Sequence, residues 1–121
     1  METTLQHQNR LHYAEVYVSD IFELKNLFLQ RFGLDKINES FGIPFLVIKK
    51  DSKMEAFASL IIDQNNQIGF EIYEISDLKL NEKEDFKIKA NNYFKRNTSE
   101  DFRNPEQLKS SIQELINGLN V

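Results

Sequence analysis

The hydrophobic pattern of this chain changes period several times, and each change marks an element. From Pro44 to Ile75 the residues group into three runs, PFLVIKKD, MEAFASLIID and IGFEIYEI, separated by the short polar connections DSK and QNNQ. Runs of this length, rich in β-branched and aromatic residues and bounded by turn formers, predict a meander of three strands. Ahead of it, His12, Ala14, Val16 and Val18 alternate with Tyr13, Glu15, Tyr17 and Ser19, which is the two-residue period of another strand. Asp20 and Glu23 then stand at capping-box spacing, so a helix is expected to start there. Ile21, Leu24, Leu27 and Phe28 would form its buried stripe, and Gly33 its left-handed stop. Residues 35–41 read as a short helical turn closed by Gly42.

The two faces of the meander differ. Met54, Ala56, Ala58, Leu60 and Ile62 fall on one side of their strand, as do Ile68, Phe70 and Ile72 on the next, and such a face needs helices over it. The opposite side mixes Glu55, Phe57, Ser59 and Ile61 with Glu71, Tyr73 and Ile75, which suits a second layer, a ligand or a partner. Beyond Ile75, Asn81 and Glu84 repeat the capping spacing ahead of Phe86, Ala90, Tyr93 and Phe94, a helical set. Residues 97–104 read as a loop. Asn104 followed by Pro105 then predicts a last helix carrying Leu108, Ile112, Leu115, Ile116 and Leu119. The expected fold is α+β: an antiparallel sheet of about four strands in the order strand, helix, three strands, helix, helix. Helices cover its apolar face, and at least one more element covers the mixed face.

A chain of 121 residues is the size of a single domain. No repeat or linker divides residues 1–121, and residues 1–10 read as a loose lead-in. A formal net charge of -4 argues against general affinity for nucleic-acid phosphates, which calls for clustered Lys and Arg. The sequence has no cysteine, which removes disulfides, thiol nucleophiles and thiolate metal sites. No apolar stretch approaches the ~20 residues of a membrane span, and METTLQHQNR is not patterned as an export signal. A cytoplasmic protein without membrane contact is therefore the expectation.

The capped helix in VYVSDIFELKNLFLQRF and the hairpin VIKKDSKMEAFASLII give residues 14–96 an order of elements that resembles the first half of the GNAT N-acyltransferase superfamily. The resemblance implies that fold, and for an active member an acyl-CoA site at a glycine-containing loop between the fourth strand and the next helix. There, backbone N–H groups at a helix N-terminus cradle the pyrophosphate. The corresponding segment here is EISDLKLNEKEDF, and no glycine occurs between Gly69 and Gly118. The family continues with further strands where this sequence reads as a final helix.

Candidate chemistry is sparse. His7 and His12 match no common metal-ligand spacing, and no metal set, nucleophilic triad or phosphate loop can be assembled. Glu71 is the weak candidate for a general base toward an amine, with Tyr73 beside it on the fourth strand. Tyr13, Glu15 and Tyr17 are an aromatic cluster better suited to packing or a protein interface than to nucleobase stacking, because Glu15 sits between the rings. The reading that follows is a non-catalytic binding or interaction module without cofactor. Its interface or cleft face is Tyr17, Glu55, Phe57, Glu71 and Tyr73, and its partner is another protein or a second copy in a homodimer. The alternative is an N-acyltransferase that takes acetyl-CoA through a non-standard or partner-completed site.

Overall fold

The computed structural model of the protein describes residues 11–120; the lead-in expected over residues 1–10, with His7, lies outside them. Four strands run β1 (Leu11–Glu15), β2 (Ile43–Lys50), β3 (Lys53–Ile62) and β4 (Ile68–Glu74). The helices are α1 (Val18–Phe32), α2 (Leu80–Arg96), α3 (Glu100–Arg103) and α4 (Pro105–Leu119), with a 3-10 turn at Glu39–Phe41. Every strand pair is antiparallel and the strand order is β1-β2-β3-β4. The fold is thus the α+β arrangement expected.

The meander forms where its turns allow. Asp51 and Ser52, both with positive φ (51° and 72°), make a two-residue hairpin between Lys50 and Lys53. At the second turn Asp63 Oδ1 accepts from the Asn65 and Gln67 amides at 2.8 and 3.0 Å. Pro44 sits in a central strand, but β1 pairs only as far as Leu46, so its missing N–H faces no neighbour on that side.

Two irregularities in the β2–β3 ladder decide which side chains meet. Ile48 pairs with Ala56 and Lys49 with Met54, which leaves Glu55 as an extra residue on β3. The alternation slips by one there. Met54, expected beside Ala56 and Leu60, instead packs with Leu24, Phe28 and Phe57 on the other face. Phe45 is the corresponding extra residue on β2, so Phe45 and Leu46 both enter the cluster under α2.

The first strand stops four residues short of its alternating pattern, and both capped helices begin earlier than their spacing predicts. Asp20 is the third residue of α1 rather than its cap: its carboxylate accepts from the Tyr17 amide at 2.9 Å. Glu82 does the same for the Lys79 amide at 3.0 Å, starting α2 at Leu80 rather than after Asn81. An acid that reaches back three residues satisfies the same orphan amides that a cap residue would. The loop expected over residues 97–104 contains α3, whose Phe102 is buried against Phe45 and Tyr93. Arg103 on that turn donates to the Phe94 and Lys95 carbonyls at 2.9 and 2.6 Å, closing the C-terminus of α2. Asn104 and Pro105 open α4 as expected, with the Asn104 side chain accepting from Glu106 and Gln107.

The sheet is covered on both faces. Over one lie Phe86 and Ala90 of α2, Phe102 of α3, and Leu108 and Ile112 of α4. Over the other lie Leu24 and Phe28 of α1 with Phe41 of the 3-10 turn, sealing Val47 and Phe57 completely. Gly42 lets these layers close, because a Cβ there would stand 2.0 Å from the Leu60 carbonyl oxygen and its φ is +64°. Gly118, by contrast, has open space around a would-be Cβ inside α4. Gly42→Ala is expected to destabilise by about 3 kcal/mol or more, whereas Gly118→Ala should stabilise by about 0.5–1 kcal/mol. Urea titrations of the two variants should therefore move in opposite directions from the parent protein.

Candidate functional site

The residues read as one face from the sequence separate in space. Phe57 is fully buried among Phe28, Phe41 and Tyr73 and offers nothing to a cleft or partner. Glu55 is half-buried at the bulge, where its Oε1 accepts from the Ser76 hydroxyl at 2.5 Å. Tyr17, 67% exposed, lies beyond the end of β1, the strand at the opposite edge of the sheet from β4. Its neighbours Val18 and Phe22 are also open, at 82% and 60%.

Glu71 and Tyr73 do come together. They point from β4 toward the α1 side and line a cleft of about 310 Å³ with Glu39, Ser40, Ile61 and Ile62. The Tyr73 hydroxyl donates to the Ser40 carbonyl, and its ring stands edge-on to Phe28 and Phe32 at 5.1 and 5.8 Å. Burial, and next the Glu71 charge, push its pKa up to about 12, so the phenol stays neutral at physiological pH. Glu71 is the only β4 residue classed as exposed.

Sequence reasoning missed two further clefts, because each is assembled from a strand and a helix distant in the chain. One, of about 400 Å³, lies on the α2 side of β4 and is lined by Phe70, Ile72, Leu78, Lys83, Phe86 and Lys87 among others. Lys83 Nζ stands 3.3 Å from Glu74 Oε2 at its end. The other, of about 600 Å³, opens between β1 and the C-terminal half of α2, with Tyr13, Glu15, Lys89, Tyr93 and Arg96 around it. Lys89 Nζ lies 4.7 Å above the Tyr13 ring, and the Tyr13 hydroxyl donates to Asp85 at 2.5 Å. Burial, then the bond to Asp85 and its charge, raise the Tyr13 pKa well above the usual phenol value. Burial, then the neighbouring Glu15, raise that of Tyr93. These phenols are hydrogen-bond donors rather than proton-transfer groups near neutral pH. The helix positions 89, 92, 93, 96 and 97 on this wall share one face at helical spacing, which is the signal that could have found it.

β4 is the last strand of the sheet, and its hydrogen-bond register fixes which backbone groups are left over. The Ile75 amide donates to Glu55 O and the Asp63 amide to Gln67 O, both at 2.8 Å. These bonds place residues 55 and 75, and 63 and 67, as hydrogen-bonded pairs at either end of the β3–β4 ladder. Gly69, Glu71 and Tyr73 therefore bond inward to β3, while Ile68, Phe70, Ile72 and Glu74 direct their N–H and C=O groups outward. Arg31 Nε reaches the outward Glu74 carbonyl at 3.2 Å. Among the described residues no strand pairs with the rest of that edge.

No three His, Cys, Asp or Glu among the described residues are grouped to hold a metal ion, and no described helix is long and apolar enough to cross a membrane. The start of α2, where the acyl-CoA resemblance would seat a pyrophosphate, has the Glu82 carboxylate on the Lys79 amide, with Lys50 Nζ at 3.8 Å from Glu82. Comparison with protein-family models, curated proteins and solved structures returns no match to this chain.

The Tyr73 environment gives a pH test. Its pKa is raised in the fold from the ordinary 10.0 to about 12, so the linked stability is fully present below pH 10 and is lost as pH rises through 12. Tyr73→Phe should cost about 0.5–1.5 kcal/mol at neutral pH through the lost Ser40 bond. It should also lose less stability than the parent protein between about pH 10 and 12. Chemical denaturation across that range measures both.

Proposed function

We propose that this domain is a non-catalytic interaction module that binds another protein, or a second copy of itself, along the open edge of β4. One observation carries the reading: Ile68, Phe70 and Ile72 direct backbone donors and acceptors outward where no described strand pairs with them, and a cleft flanks the strand on each face. An edge of this kind is a template for an added strand, with main-chain bonds giving affinity and flanking clefts reading alternate side chains. Glu71 and Tyr73, the candidates for catalysis, serve better as contact groups here, since the phenol is neutral and its hydroxyl already donates to Ser40. The GNAT-like half-fold reading rests on the order of elements from β1 to α2. Glu82 at the start of α2 and the glycine-free segment before it favour binding over acyl transfer.

Hydrogen exchange on the isolated protein, with light scattering on the same samples, tests the reading. In a dilute monomer the outward amides of Ile68, Phe70 and Ile72 should exchange much faster than the inward amides of Gly69, Glu71 and Tyr73. Association at high concentration with protection of the outward amides would make a second copy the partner. Persistent monomers with open amides would make it a different protein. Outward amides already as protected as the inward ones in the dilute monomer would overturn the proposal.

A further inference from the structure

From the side chains around the open edge we infer that the segment β4 accepts is a heterologous strand in which Lys or Arg alternates with apolar residues. Basic side chains would lie on the α1 side and apolar ones on the α2 side. The inference rests on the strand-addition reading above and adds the chemistry of the partner to it.

Successive side chains of an added strand point to opposite faces of the sheet, so each face of the edge reads every second residue. On the α1 side, Glu71 and Glu39 rim the cleft, and neither carboxylate forms an ion pair among the described residues. Ile61 lines it from the same face of β3 and Ile62 from the strand end, and the Tyr73 hydroxyl is engaged with the Ser40 carbonyl. Ile61 beside two carboxylates that have no ion pair among the described residues matches a side chain with an aliphatic stem and a cationic head, which is Lys or Arg. On the α2 side Phe70, Ile72, Leu78 and Phe86 line the cleft together with Glu71 and Lys87, and Lys83 is already paired with Glu74. Its four apolar residues match apolar side chains.

The same residues select against self-pairing. The edge is closed at Glu74 by Arg31 and Lys83, leaving Ile68–Ile72 open. β4 itself, IGFEIYE, carries no Lys or Arg, so a second copy of it does not supply the cation that Glu71 and Glu39 match. A basic strand supplies it, and the net charge of -4 draws it in from a distance.

The test uses a capped synthetic peptide alternating valine with lysine, long enough to span Ile68–Ile72, and its glutamate analogue, each titrated into the labelled full chain and followed by backbone amide NMR. The lysine peptide should shift the Ile68, Phe70 and Ile72 amides saturably at up to low millimolar concentration, and the glutamate analogue should bind at least tenfold more weakly. Glu39→Lys combined with Glu71→Lys should reverse the order. Glu106→Lys with Glu114→Lys on α4, an equal change in net charge, should leave it intact, with circular dichroism confirming that both variants fold. Equal binding of the two peptides, no binding of either, or a preference that survives reversal of Glu39 and Glu71 would each overturn the inferred chemistry. Strand addition itself fails on a separate result, protected outward amides in the free monomer.

Discussion

Strands β2 and β3 carry apolar side chains on both faces, so neither face can be left to water, and the remaining elements are arranged around that constraint. Val47 and Phe57 look one way while Ile48, Ala56 and Leu60 look the other, and all five are fully buried. A helix crossing between β1 and β2 covers the first face, and helices after β4 cover the second. Burial of this kind stabilises by roughly 25 cal/mol for each Å² of apolar surface removed from water, which makes the central ribbon the main source of stability.

α4 is the element that joins the two layers. Its N-terminal Leu108 and Ile112 pack under the sheet with Phe86, its C-terminal Leu119 packs with Leu24 and Phe28, and Ile116 touches both clusters. The end is held in place by Asn120, whose side chain accepts from the Ile37 amide and donates to the Ile37 carbonyl, both at 2.9 Å. Lys25 on α1 adds a bond to the Leu119 carbonyl. Through these contacts the segment before β2 and the C-terminal helix brace each other, and Gly42 can place the 3-10 turn directly against the β3 backbone.

The strands were legible where local chemistry dictates the answer. Alternation and the Asp51-Ser52 turn defined the meander, and Asn104-Pro105 defined α4, because hairpin and capping geometry need specific residues. Helix starts were less legible, since Asp20 and Glu82 satisfy a preceding amide from inside the helix and the same spacing fits two registers. Met54 could not be placed, because the slip at Glu55 arises from the pairing of two strands and not from either alone. α3 is too short to carry a helical period, and it is held by Phe102 burial and the Arg103 bonds. Of the site residues, Glu71 and Tyr73 were found because strand alternation fixes their shared face. Phe57 is on that face too, but it lies under α1, and no pattern within β3 says how far a helix will reach.

How far it reaches decides where the molecule can act. α1 ends at Phe32, with Phe28 and Phe32 over Tyr73, and nothing in that layer extends past Tyr73 to cover Glu71. On the other face α2 packs Phe86 and Ala90 onto the sheet but leaves Phe70 and Ile72 partly open. β4 is therefore an edge seven residues long with no proline and no lysine, devices that commonly keep such edges apart. Glu71 is the one charge near its middle, and it is exposed there. A residue first considered as a general base thus stands where the α1 layer ends, beside a phenol that is neutral and already engaged with the Ser40 carbonyl.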